Sequence, residues 1–308
     1  MRNLLILTLL LATSFPLSAQ KFFPKTDLEL GQINGKVQRE VFIKYEIDLK
    51  NEFQYVYTDS NDYNKSGNLL HEQCYNADSS RNYRQVYEYD PGGKNLIHFR
   101  SYDYPELLSE ETFSEYDSAG NEIKFIQKYY YEEDTTITIY LYKYNSVHKL
   151  TETNRVNIFD GVRSKEYLET LNTYTNNNKQ KASQSWDEER KINSSILEEY
   201  DTSGRILKSN NLLTKQETRY KYDKKGNIAS VKILNESGRM TYTSIYSYDS
   251  HNNRRKHLEL DSSSKIVLNL AYNYEQFDKK NNWQKMYFLR DGKVMGYALR
   301  KFSYYEWG

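Results

Sequence analysis

Residues 218–229 read TRYKYDKKGNIA. Two tyrosines stand one residue apart, a short acid follows, and a glycine comes three residues after the acid. Tyr220 and Tyr222 are at i and i+2, so they share one face of a strand. Asp223 can accept hydrogen bonds from the backbone just ahead of it, and Gly226 suits the left-handed conformation that ends a type I turn. The stretch therefore reads as a strand running into a hairpin connection with a left-handed bulge.

The same arrangement returns along the chain. Its aromatic position is held by Tyr63, Tyr89, Tyr116, Tyr144, Tyr174, Tyr200, Tyr222, Tyr248 and Phe277, in steps of 22 to 30 residues. The next position is always Asp, Asn or Thr, and the position three further on is always Gly, His or Asn. The sequence thus places structural turns at Asp90–Gly93, Asp117–Gly120, Asp201–Gly204 and Asp223–Gly226, among others. A different side chain at the left-handed site costs about 1–2 kcal/mol, so backbone need defines the repeat. A second class of turn, such as NESGR at 235–239, lies between copies. One period is strand, tyrosine-side turn, strand, return turn, and nine periods imply about eighteen strands.

The best copies, YKYDKKGNI at 220–228, EEYDTSGRI at 198–206 and SEYDSAGNEI at 114–123, resemble the YD repeat, also called the RHS repeat. The resemblance runs from residue 63 to about 300. It implies an all-β fold of antiparallel hairpins, and the chain looks like the short exported YD-repeat proteins of Bacteroidetes type. In large members of that family such hairpins spiral into a shell around a cargo. Nine copies are too few for that, so the expectation is an elongated, twisted meander sheet, open or partly curled. Residues 20–62 read as lead-in strands, residues 63–308 as the repeat domain, and residues 285–308 as a terminal capping hairpin.

Residues 1–19 have the build of a secretory signal peptide: Arg2, a short apolar run, then small residues before a cut after Ala19. The expected address is the periplasm, the outer-membrane surface or the outside of the cell. No later stretch reaches 18 apolar residues, so no integral helical span is expected. A net charge of +1, from 43 basic and 42 acidic residues, argues against a nucleic-acid partner. Cys74 is the only cysteine, so no internal disulfide forms, and it reads as a small buried residue. Tyrosine occurs 31 times. Its ring buries apolar area while its hydroxyl stays wet, which suits a thin sheet with few leucines.

Little here points to a reaction. The five histidines lack metal spacing, and no nucleophile elbow, phosphate loop or dinucleotide fingerprint occurs. The paired acids of YYEEDTT and WDEERK fall in return turns, where acids are usually solvated. No catalytic residue, metal or cofactor is expected. Candidate binding residues are Tyr220, Tyr222, Tyr246, Tyr248 and Trp283, with Trp186 and Trp307 as further aromatics. The expected function is a non-catalytic module of the cell envelope that binds a glycan or an envelope protein through a face or an edge of its sheet. The alternatives are an outer-membrane β-barrel and an envelope carbohydrate-active enzyme. Against the barrel, neither face of NYRQVYEYD or TRYKYD is cleanly aliphatic.

Overall fold

The computed structural model describes residues 33–131 and 134–306. The leader at 1–19, Glu132, Glu133 and Trp307 lie outside the described residues. Among the described residues, strands follow one another with no helix between them. The first seven are β1 (Val37–Ile47), β2 (Phe53–Tyr63), β3 (Leu69–Asn76), β4 (Arg81–Tyr89), β5 (Leu96–Asp103), β6 (Leu107–Tyr116) and β7 (Glu122–Tyr130). Next come β8 (Thr135–Tyr144), β9 (Leu150–Phe159), β10 (Val162–Arg163), β11 (Tyr167–Thr175), β12 (Gln180–Trp186), β13 (Ile192–Tyr200) and β14 (Ile206–Asn211). The chain ends with β15 (Gln216–Tyr222), β16 (Ile228–Leu234), β17 (Met240–Tyr248), β18 (Arg254–Asp261), β19 (Ile266–Phe277), β20 (Trp283–Arg290) and β21 (Lys293–Tyr304).

Each strand pairs antiparallel with its sequence neighbours, and β10 and β11 share one edge of β9 as a single broken strand. The open meander expected from the repeat is corrected at one place. β1 pairs with β21 from Val37↔Tyr304 to Glu46↔Gly296, which joins the two ends of the sheet. The result is a closed antiparallel barrel of twenty strands. The hairpin expected as a cap, β20 and β21, lies at the seam, where β21 pairs with β1. Closure removes the unpaired N–H and C=O row that an open sheet would leave exposed.

The tyrosine-side turns all stand on one rim and the return turns on the other. At the nine tyrosine-side turns the left-handed position has φ from 60° to 92°. Asp223 Oδ1 accepts from the backbone N–H of Lys225 at 2.8 Å and of Asn227 at 2.9 Å. Asn227 Nδ2 donates back to Asp223 Oδ2 at 2.9 Å, which explains the asparagine that follows the glycine. In seven of these hairpins a bulge falls just before the repeat tyrosine, between Asp62 and Tyr63 and at the matching places onward. An added Cβ at Gly226 would sit at φ 91° and 3.3 Å from Arg205 Nη1. Gly226→Val should therefore lower stability by about 1–2 kcal/mol in a urea melt, and an unchanged midpoint would contradict the turn.

The seam is a further copy of this turn, split between the two ends of the chain. Tyr304 comes 27 residues after Phe277, within the repeat's own spacing. The Tyr305 N–H donates to Lys36 O at 2.9 Å, as Asp223 N–H does to Asn227 O at 2.8 Å in an intact copy. Gly35, at φ 90°, takes the left-handed position on the other side of the break. Asn282 Nδ2 donates to Asn34 O at 2.8 Å, and Tyr305 OH to Tyr63 O at 2.6 Å, so the neighbouring turns clasp the split one. Here too lies the apolar cluster of Ile33, Val37 and Tyr63, packed by Leu69, Phe302 and Tyr304.

Candidate functional site

Ladder registers sort the side chains into two faces that hold round the ring. On β15 the face of Thr218, Tyr220 and Tyr222 is half-buried, while Arg219 and Lys221 on the other face are exposed. On β12 Lys181 is buried while Ala182 and Gln184 are exposed. We infer that the tyrosine face is the lumenal one, since a closed wall crowds side chains inside and splays them outside and most of the buried polar side chains lie on it, although Val86, Val156, Ser195 and Thr243 are buried on the other face. Twenty strands spaced about 4.8 Å apart and tilted about 40° close on a circle roughly 40 Å across, backbone to backbone. The strands pack against their ladder neighbours and enclose a lumen.

The repeat tyrosines have a structural task that spacing alone did not show. Tyr116 OH donates to Leu96 O at 2.9 Å, Tyr144 OH to Glu122 O at 2.8 Å, Tyr174 OH to Leu150 O at 3.0 Å and Tyr222 OH to Ile206 O at 2.8 Å. Each ring thus reaches back to the backbone of the preceding hairpin and ties the copies together. Phe277 lacks the hydroxyl, and Tyr274 makes the bond in its place, to Arg254 O at 2.9 Å.

This sorts the five expected binding residues. Tyr222 and Tyr248 spend their hydroxyls on the wall, the latter on Ile228 O at 3.1 Å. Trp283 is buried at the seam against Phe42, Tyr274 and Arg300. Tyr246 stacks on His257 at 4.7 Å, and Tyr220 is half-buried beside Tyr222. These five residues do not form one cluster.

A different group does converge. On the inner face of β7, β8 and β9, Phe125 is paired with Tyr140, the two rings 6.0 Å apart. Tyr140 and Tyr142 are parallel within 4°, their centroids 6.5 Å apart. Arg155 lies across from Tyr140, its guanidinium 5.5 Å from the ring centre. Arg155 donates to Asn157 Oδ1 at 2.8 Å and to Glu169 Oε1 at 3.0 Å. Flat aromatic faces beside a fixed cation, an acid and an amide can stack on a sugar ring and bond its hydroxyls. The sequence drew attention to TTITIYLYKY only as a strand, because the aromatics come from β7 and β8 and their polar partners from β9 and β11. Only the register brings them together.

The lumen also holds two buried ion pairs. Lys181 Nζ meets Glu198 Oε2 at 2.7 Å, and Arg300 Nε meets Glu40 Oε1 at 2.5 Å. Tyr200 OH and Tyr63 OH donate to the same two carboxylates, at 2.7 Å and 3.1 Å. Cys74 is buried, and burial with the neighbouring Asp59 pushes its thiol up to about 12, far from a nucleophile's range. Among the described residues no group of three or more His, Cys, Asp or Glu side chains could hold a metal ion.

The outer face is mixed: Phe113, Ile126, Ile139 and Val156 form an apolar row across β6–β9, and charged groups surround it. His98 lies between Glu88, at 3.3 Å, and Glu111, at 2.9 Å; Lys128 and Tyr130 also reach Glu111, at 3.3 Å and 2.8 Å. Lys208 pairs with Glu217 at 2.8 Å, and Lys143 with Glu152 at 2.6 Å. Arg84, Arg100, Lys128, Arg219 and Lys232 interrupt the apolar residues of this face among the described residues.

The turn carboxylates set a pH dependence. Bonds from Asn121 hold the Asp117 carboxyl below its ordinary range; bonds from Asn227 do the same for Asp223, and the Lys94 N–H for Asp90. A folded pKa below the unfolded one gives stability that is present above the unfolded value, about 3.9, and lost as pH falls through the folded values. Thermal melts between pH 7 and 2.5 should show a falling midpoint below about pH 4. A flat profile there would contradict the turn bonds.

No family model matches the chain, and no curated protein matches it. Among solved structures, a porin-like protein from Bacteroides uniformis ATCC 8492 is 12% identical with a TM-score of 0.36, over 88% of this chain and 99% of that one. A porin-like protein from Bacteroides vulgatus ATCC 8482 is 10% identical with a TM-score of 0.30, over 87% and 98%. The TcdB2-TccC3-Cdc42 structure is 11% identical with a TM-score of 0.28; 80% of this chain is covered, but only 14% of that chain's length.

Proposed function

We propose that the chain is an exported, non-catalytic envelope barrel that binds a glycan along its lumenal wall. The observation that carries this reading is the inner-face strip of Phe125, Tyr140 and Tyr142 beside the Arg155–Asn157–Glu169 set. A ring roughly 40 Å across from backbone to backbone leaves, inside its side chains, a bore still wider than one polymer chain, so recognition falls to the wall. Titration calorimetry against a panel of envelope and dietary polysaccharides tests it. One class should bind, and Tyr140→Ala with Tyr142→Ala should weaken that binding about tenfold, the equivalent of about 1.4 kcal/mol. Absence of binding would refute the reading, and shortened polysaccharide products would replace it with a hydrolase.

A second reading is an outer-membrane barrel, favoured by the closed ring of an even number of antiparallel strands. The outer face weighs against insertion, since each Arg or Lys at the bilayer midplane costs about 2–4 kcal/mol. Arg84, Arg100, Lys128, Arg219 and Lys232 all lie on that face within their strands. Carbonate extraction of source-cell envelopes separates the two readings. A barrel standing in water is released, and an inserted one stays with the membrane.

A further inference from the structure

The two rims differ in chemistry. Most of the exposed large apolar side chains stand at or beside return turns, among them Leu49, Tyr104, Tyr131, Val162, Leu213 and Ile266. Leu49 is fully exposed and Val162 is 73% exposed. At or beside the tyrosine-side turns the exposed large apolar side chains are fewer: Ile97, Ile123, Val147 and Leu207 among the described residues. These side chains come from turns spread round the circle, after β1, β5, β7, β9, β14 and β18. Both ends of the described chain, at Ile33 and Glu306, lie at the opposite rim.

We infer that the return-turn rim docks on a zwitterionic lipid surface. Singly exposed apolar side chains are ordinary, but their concentration on one of the two rims is an asymmetry that points to a surface this rim faces. Anchors spaced singly round a wide ring give no packed centre of the kind a protein interface needs. A bilayer interface accepts each tip separately, with aromatic rings such as Tyr104 and Tyr131 at headgroup depth. Charge argues against the same rim of a second copy. The return turns carry Asp78, Glu106, Asp160, Glu188, Glu189 and Asp291 against fewer bases, so two such rims repel. The tyrosine-side turns are the basic ones, with Lys65, Lys94, Lys224, Lys225, Lys279 and Lys280. The same charges make the docking rim prefer neutral lipid to anionic lipid. The inference goes beyond lumenal glycan binding and does not depend on it.

Flotation of the purified protein with phosphatidylcholine vesicles tests the inference. The protein should float with the vesicles, and less when phosphatidylglycerol is added. Leu49→Ser, Val162→Ser and Leu213→Ser together should lower partitioning at least tenfold, with the melting midpoint kept because all three are exposed. Val147→Ser on the other rim should change nothing. Wild-type protein that stays below the vesicles, or prefers the anionic ones, would overturn the inference. So would a triple variant that floats as well as wild type, or light scattering showing that the triple variant breaks up a rim-to-rim dimer.

Discussion

Gly296→Val should lower the stability of the barrel by about 3 kcal/mol and open it at the seam. Gly296 lies on β21 opposite Phe288 of β20 and Glu46 of β1. A Cβ built there would stand 2.2 Å from the carbonyl oxygen of Tyr45 and 2.3 Å from the ring of Phe288. One obstacle is backbone and the other is an aromatic ring held between strands, so neither yields without moving β1. A glycine inside a strand marks such a close approach. Gly238 supplies the contrast, since a Cβ there meets nothing within 4 Å. Gly238→Ala should cost only about 1 kcal/mol, from its left-handed backbone. Urea melts give both values, and hydrogen exchange locates the damage. Amides of β1 and β21 should lose protection in Gly296→Val while those of β6 and β7 keep it. An unchanged midpoint would show that β1 and β21 do not meet as described.

Glu40→Leu should cost about 3–5 kcal/mol, because it leaves the Arg300 guanidinium buried without its partner. The two side chains are 6% and 9% exposed, and Tyr63 OH completes the carboxylate's contacts at 3.1 Å. The double variant Glu40→Leu with Arg300→Met should recover most of the loss, since an apolar pair needs no compensating charge and Trp283 and Phe302 already flank the site. A double-mutant cycle measures this coupling. If the double variant were as unstable as the sum of the singles, Glu40 and Arg300 would not be coupled as a pair.

The local half of this fold was legible because the repeat is written in short-range chemistry. Asp223, Gly226 and Asn227 interact within five residues, and any copy can be recognised without knowing its neighbours. Closure was not legible in the same way. Val37 and Tyr304 pair across nearly the whole chain, and the turn that joins them is broken into Asn34-Gly35-Lys36 at one end and Tyr304-Tyr305 at the other. Neither half is a copy by itself. The signal present was the spacing from Phe277 to Tyr304, which continues the period past the last complete copy. Among the expected binding residues, Tyr222 and Tyr248 stand at the repeat's aromatic position. They recur because they tie hairpins together, which is a reason for repetition that binding does not share. The strip at Tyr140 and Tyr142 occurs once, and only the ladder places Arg155 and Glu169 beside it.

Closure is tested most directly by a disulfide across the seam. Val41 and Lys301 are ladder partners on the outer face of β1 and β21. Partners in an antiparallel ladder lie about 4.5–5.5 Å apart at Cα, within disulfide reach. Val41→Cys with Lys301→Cys, in a Cys74→Ala background, should form an intramolecular bond under mild oxidation. Non-reducing electrophoresis should then show a faster monomer band in nearly all of the protein. An open sheet would hold these residues at opposite ends of the molecule, and the cysteines would stay free or join two chains.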